Sequence, residues 1–244
     1  MEAIERAIER VRAGLVLGGP QKTTPNPDLA APGGFGSWEE YVVECCRAST
    51  LPPEVRQELR LSTFNDKGNA HFKLALRVAQ EFARGEGPLW LTLYGPRGVG
   101  KTHLAIGIAW SWVEAGCYVI YQQIPRMLDE LRGLYDKEKE KETGLTFDVR
   151  FEQLCTCHLL VLDDLGCQRP TEWGDEKLDI LVDWRWLRRL PTVVSTNAEY
   201  DDLPPRLADR LWDVHRGRQV LMKGPSYRSL APRAPGLSQV VKAP

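Results

Sequence analysis

Apolar residues along this chain fall into two regimes. In the first third they recur at helical spacing. Ile4, Ile8, Val11 and Leu15 share one face of a helix expected over 2–16, closed by Gly18-Gly19-Pro20. The Pro- and Gly-rich run 21–36 reads as a linker. Ser37 with Glu40 three residues on forms a capping box for a second helix, to about Arg47. After Pro52-Pro53 a short helix is expected over 54–60, and a longer one over 69–84 with Phe72, Leu76, Ala79 and Ala83 on one face.

From Leu89 onward, short apolar runs alternate with amphipathic stretches. Strands are predicted at 89–94, 117–121, 158–162, 192–196 and 218–222. Helices are predicted at 102–114, through Met127, Leu128 and Leu131, and at 175–189. Such alternation predicts an α/β fold with a parallel sheet covered by helices on both faces. The run 136–142 alternates charges without apolar anchors and reads as a solvated helix end or loop.

Composition narrows this picture without redirecting it. The chain has 244 residues, 43% of them hydrophobic, enough for one sizeable core and a small appendage. No run approaches the ~20 apolar residues that span a bilayer. The N-terminus lacks the apolar core of a secretory signal, so the expectation is a cytoplasmic protein with no membrane partner. Among six cysteines none forms a Cys-x-x-Cys pair. Cys155, Cys157 and His158 can ligate a metal in principle, but beside an apolar strand they read as buried, reduced groups. The net charge of −1 hides a basic stretch after Pro191, with eight Lys and Arg against five acids. That asymmetry fits nucleic acid or the phosphates of a nucleotide.

The candidate chemistry begins at the end of the first strand. Gly95-Pro-Arg-Gly-Val-Gly-Lys101-Thr102 fits G-x-x-x-x-G-K-[ST], with an apolar strand before it and a helix after it. Gly98 and Gly100 let backbone N–H groups turn toward phosphate oxygens, and the following helix adds its positive end. Lys101 can reach the β- and γ-phosphates, and the Thr102 hydroxyl can hold Mg²⁺. Asp163 and Asp164 close the apolar run His158-Leu-Leu-Val-Leu. In that setting Asp163 would hold the metal's water shell and Asp164 would act as general base. Asn197, at the end of Val193-Val-Ser-Thr, can orient the water or touch the γ-phosphate; alone it can equally begin a turn.

These residues, with others in order, resemble the AAA+ helicase loaders of the DnaC and DnaI type and their IstB transposition relatives. The likeness runs through Gly95 to Leu104, Leu160-Val-Leu-Asp-Asp-Leu-Gly166, Gln168-Arg169, Glu172, Asp183-Trp-Arg185 and Ser195-Thr-Asn197. It continues in Pro205-Arg-Leu-Ala-Asp-Arg-Leu211 and Ser226-Tyr-Arg228, with Ser62-Thr-Phe64 as a lead-in. The resemblance implies a P-loop AAA+ three-layer α/β/α fold over 61–230, after a helical partner-docking segment at 1–60 and before a tail at 231–244, with no full helical lid. It implies ATP and Mg²⁺ as cofactors. The implied nucleotide-binding run is Gly95, Pro96, Arg97, Gly98, Val99, Gly100, Lys101, Thr102 and His103. Arg210 or Arg206 would be a finger reaching a neighbouring subunit's γ-phosphate, and Arg228 a nucleotide sensor in cis.

A finger acting in trans requires head-to-tail self-association. The implied partners are single-stranded DNA and a replicative hexameric helicase, with Arg126, Arg132 and Arg150 available for DNA phosphates. A transposase on duplex DNA is the alternative. Two other readings are a small-molecule kinase, for which no acceptor motif is visible, and a scaffold that binds ATP without turning it over.

Overall fold

A computed structural model of the chain describes residues 40, 43–45, 49–135 and 145–228. The expected helix at 2–16, the linker, the charged run 136–142 and the tail lie outside them, as does most of the expected helix at 37–47.

Eleven elements among the described residues build the site's frame, in the order α1 (Ala70–Ala83), β1 (Trp90–Tyr94), α2 (Lys101–Glu114), β2 (Val119–Gln123), α3 (Ile124–Gly133), α4 (Phe147–Thr156), β3 (Leu159–Leu165), α5 (Glu172–Leu187), β4 (Thr192–Thr196), α6 (Pro205–Leu211) and β5 (Gly217–Leu221). The five strands are all parallel, in the order β2-β3-β4-β1-β5. Side chains alternate across this sheet. Leu91, Leu93, Leu159, Val161 and Val193 pack against α1 and α2, while Trp90, Ile120, Leu160, Leu162 and Val194 pack against α3, α5 and α6. The result is the expected three-layer α/β/α arrangement around a parallel central sheet. No helix follows β5 among the described residues, and none there is long and apolar enough to cross a membrane.

Among the described residues, three of the six helices start at a side-chain cap. The Asn69 side chain accepts from the N–H groups of His71 and Phe72, so α1 begins at Ala70. Thr146 and Thr171 cap α4 and α5 in the same way. From Leu104 to Val113 α2 is apolar except for Ser111, and this stretch is buried between the sheet, α1 and the segment before α1.

Three expectations need correction. The helix at 54–60 is a short 3-10 turn, Pro53–Val55, followed by irregular backbone. Arg56 and Arg60 hold that segment down by pairing with Glu114 of α2, at 3.0 and 2.5 Å. β2 begins two residues later than expected because Gly116, at φ 77°, is still in the turn that ends α2. The helix α4 had no counterpart in the reading of the sequence, although Phe147, Phe151, Leu154 and Cys155 carry helical spacing.

Residues ahead of 60 also join this body. Cys45 and Leu51 are buried in the same cluster as α1 and α2. Thr50 satisfies the exposed edge of β2 by accepting the Tyr121 N–H at 2.9 Å and donating to the Tyr121 carbonyl.

Arg185 is fully buried with no carboxylate among its bonded partners. Its Nε donates to Thr192 Oγ1, its Nη1 to the carbonyls of Leu154, Cys155 and Cys157, and its Nη2 to that of Pro191, over 2.6–3.1 Å. One guanidinium therefore joins the end of α4, α5 and the start of β4. Cys155 and Cys157 are buried beside it, and His158 Nδ1 accepts the Tyr118 N–H. Arg185→Ala is expected to lower unfolding free energy by about 3–5 kcal/mol, the scale of leaving several buried carbonyls without a donor beside the cavity of a lost large side chain. Urea denaturation measures this. Arg185→Lys should not restore it, because an ammonium lacks the planar spread of donors.

Candidate nucleotide site

The site forms at the carboxyl ends of β1, β3 and β4, where open α/β sheets bind ligands. The loop from Gly95 to Gly100 joins β1 to α2 and depends on left-handed glycines. Gly98 sits at φ 81°, and a Cβ there would lie 2.1 Å from Ser226 Oγ. Gly100, at φ 94°, is the residue before α2, and a Cβ there would meet the Phe64 ring at 2.7 Å. Both approaches are too close for any side chain. Val99 is buried, so only its backbone can serve a phosphate, whereas Pro96 and Arg97 are exposed.

Lys101 opens α2 with its side chain turned back into the loop. Its Nζ donates to the Gly95 carbonyl at 2.7 Å, the Pro96 carbonyl at 2.8 Å and Asn197 Oδ1 at 2.7 Å. Burial lowers its pKa, while the nearby charges of Asp164 and Asp163 oppose that shift. Asn197 also donates from Nδ2 to Cys167 Sγ at 3.5 Å, so it bridges the loop lysine and the turn after β3.

Asp163 and Asp164 take different positions although adjacent. Asp163 continues the odd face of β3, turns toward α2 and is wholly buried. Thr102 Oγ1 donates to its carboxylate at 3.0 Å, Tyr121 OH donates to Oδ2 at 2.8 Å, and Ser195 Oγ donates to Oδ1. Burial and the Asp163 charge push the Tyr121 phenol well above its ordinary pKa, so it stays a donor. Asp164 has φ 59°, at a register shift between Leu162 and Leu165. That bulge turns its carboxylate into the cleft. Burial, then the Asp163 charge, raises its pKa, partly offset by Lys101, Arg228 and Arg97.

The cleft has a volume of about 670 Å³, within the range of small-molecule sites. Lys101, Thr102, Asp164, Asn197 and Arg97 line one end. Leu59, Thr63, Phe64, Asn65, His103 and Tyr227 line the other. His103 is turned to the second wall. Its Nε2 lies 2.8 Å from the Arg60 carbonyl, its ring packs edge-on to Phe64 at 5.2 Å, and burial lowers its pKa. It shapes that wall, with its polar edge engaged away from the phosphate loop. Arg228 arrives on a strap that crosses the loop. The Tyr227 N–H donates to the Gly98 carbonyl at 2.8 Å, and the Tyr227 ring stacks on Phe72.

Arg206 and Arg210 are absent from the lining of this cleft. Both pair with Asp183 of α5, at 2.7 and 2.8 Å. Arg210 uses its Nε for that bond, and its guanidinium lies over the Trp186 ring at 4.2 Å. The Arg206 side chain is 71% exposed. Arg150 must be withdrawn as a phosphate contact. It is buried, its Nε pairs with Glu130 at 2.8 Å and its Nη1 bonds Gln153. Tyr121, Ser195, Phe64 and Tyr227 are site residues that the sequence reading left without roles. An apolar-polar alternation that placed Tyr121, Asp163 and Ser195 on one face was the available signal.

The donor set around Asp163 suits a hard divalent cation. It consists of a hydroxyl and a carboxylate, both oxygen, with a second carboxylate adjacent, and the direct partners of the buried anion are neutral hydroxyls. Thr102 and Asp163 would hold Mg²⁺.

Comparison with known proteins gives the family and the fold. Replicative helicase loader DnaI of Bacillus subtilis is 30% identical over 129 residues, covering 52% of this chain and 38% of that protein. A protein of Mycobacterium tuberculosis described as ATP-binding and within an insertion sequence is 29% identical over 143 residues, covering 56% and 54%. The chain spans about half the length of the curated relatives it matches. The crystal structure of the DnaC helicase loader superposes with a TM-score of 0.57 at 23% identity, over 69% of this chain and 98% of that one, a likeness of fold. The profile of the IstB-like ATP binding proteins matches residues 47–233, which span the sheet, the phosphate loop and the strap, and the chain belongs to that family.

Proposed function

We propose that this protein is a Mg²⁺-dependent ATPase that loads or remodels a replicative helicase on single-stranded DNA, and that it works as a head-to-tail oligomer. The observation that carries the reading is a division of labour. One cleft collects Gly98 and Gly100 of the phosphate loop with Lys101, Thr102, Asp164, Asn197 and Arg228, and Thr102 bonds the buried Asp163, while Arg206 and Arg210 sit together elsewhere.

Within the cleft, backbone N–H groups and Lys101 bind the β- and γ-phosphates, with Lys101 exchanging its carbonyl partners for phosphate oxygens. Mg²⁺, when bound, neutralises charge developing on the transferred phosphoryl group. Asp164 takes the proton of the attacking water, and Asn197 holds that water or the γ-phosphate. The apolar wall of Leu59, Phe64 and Tyr227 receives the base. Arg210 is the favoured finger, because its Nε bond to Asp183 and its stacking on Trp186 pre-orient the guanidinium while leaving both Nη groups for a phosphate fork.

Support for a single-stranded partner comes from the aromatic group at α3 to α5. Tyr135, which is 57% exposed, stacks on Phe147, and Arg132 lies over Trp173. Rings with a neighbouring cation accept unpaired bases. The insertion-sequence relative favours a second reading, assistance to a transposase on duplex DNA. ATP turnover measured against protein concentration, with single-stranded or duplex DNA, separates the two. The loader reading requires turnover per subunit to rise with concentration and with single strands, and capture of a hexameric helicase from a host extract. Duplex preference with capture of a transposase supports the second, and turnover independent of concentration counts against both.

A further inference from the structure

Asp163 is gripped from both flanks of its strand. β2 and β4 are the two neighbours of β3, and each lends one hydroxyl to one carboxylate oxygen. Tyr121 of β2 donates to Oδ2 at 2.8 Å, and Ser195 of β4 donates to Oδ1. Thr102 supplies a third hydroxyl from α2.

We infer that Tyr121 and Ser195 are a positioning clamp for the metal-holding carboxylate. The inference rests on the reading of Thr102 and Asp163 as the Mg²⁺ holders, and adds what sets their geometry. Neutral hydroxyls satisfy the lone pairs of a buried carboxylate without competing for its charge, as a lysine or arginine would. With one oxygen held on each side, the plane of the carboxylate is set before a cation arrives, independently of the Thr102 hydroxyl that also bonds it. The clamp is itself held. Thr50 bonds both the N–H and the carbonyl of Tyr121. Ser195 Oγ also accepts the Asp164 N–H at 3.2 Å, so the left-handed turn that aims Asp164 is tied to the same hydroxyl that orients Asp163. Groups that orient a metal ligand typically alter metal affinity about 10–100-fold when removed.

The test is binding of a fluorescent ATP analogue to the full chain as Mg²⁺ is varied, with the thermal midpoint recorded alongside. Tyr121→Phe keeps the ring and removes the hydroxyl. It is expected to raise the Mg²⁺ concentration for half-maximal binding about 10-fold with affinity in EDTA unchanged, while the thermal midpoint falls by a few degrees because a buried carboxylate oxygen loses one donor. Ser195→Ala is expected to give the same shift, and also a lower turnover at saturating Mg²⁺, because the Asp164 turn loses its anchor. An unchanged Mg²⁺ midpoint in both variants, where the parent protein shows a clear Mg²⁺ dependence, overturns the clamp. Equal loss of affinity with and without Mg²⁺ overturns it too, because it marks a merely structural role. A parent whose nucleotide affinity ignores Mg²⁺ overturns the metal assignment and the clamp with it.

Discussion

Lys101→Ala is expected to reduce ATP turnover about 10²–10³-fold, the usual cost of removing one preorganised charge from a transition state. The magnitude follows from where the ammonium sits. Its side chain is almost entirely buried, and its Nζ already holds three oxygens at 2.7–2.8 Å. In so enclosed a place a charge is weakly screened, so its loss is felt more than on the surface. Nucleotide affinity should fall as well, because the same ammonium reaches the bound phosphates in the ground state. The variant leaves the Gly95 and Pro96 carbonyls without their donor. A thermal midpoint measured beside kcat and nucleotide affinity separates a lost charge from a relaxed loop. Parental turnover in a folded Lys101→Ala protein would refute the phosphate site.

The second large effect concerns action between subunits. Asp164→Asn is expected to lower turnover about 10²–10⁴-fold, as removal of a general base does. Arg210→Ala is expected to lower it about 10³-fold or more, as removal of a finger does. An equal mixture of the two inactive proteins should recover roughly a quarter of parental activity, because random head-to-tail pairing sets an intact cleft beside an intact finger at about one junction in four. No recovery means that the arginine acts within its own chain or only structurally. The same experiment with Arg206→Ala tests the choice between the two arginines, and a smaller loss is expected there, since Arg206 spends an Nη group on Asp183. A pH profile adds a check on Asp164. Because its carboxyl pKa is raised by burial and by Asp163, it loses its proton only above the ordinary carboxylate range. As pH falls, kcat/KM of the parent should therefore drop at a higher pH than an unperturbed aspartate would give, and this limb should vanish in the residual activity of Asp164→Asn.

Much of this architecture is local and therefore visible in the order of residues. The alternation after Leu89 specifies strands and helices because burial on one or both faces imposes a period, and the observed β4 matches the expected bounds at both ends. The phosphate loop is legible because its glycines, lysine and threonine serve one short stretch of backbone. Asp163 and Asp164 stand out because acids rarely close an apolar strand without a task. Helix α4 was also written in its spacing, with a threonine cap ahead of it, but its polar positions weaken the stripe.

What only the tertiary structure decided lies between distant segments. Arg150 reads as a surface cation until Glu130, twenty residues earlier, is brought against it. Arg206 and Arg210 become a pair because Asp183 on another helix holds both. Tyr121 and Ser195 meet at Asp163 because β2 and β4 flank β3, an order that no linear distance encodes. Periodicity reports which side of an element is buried. It does not report which element covers that side, and hydrogen-bond partners depend on the covering element.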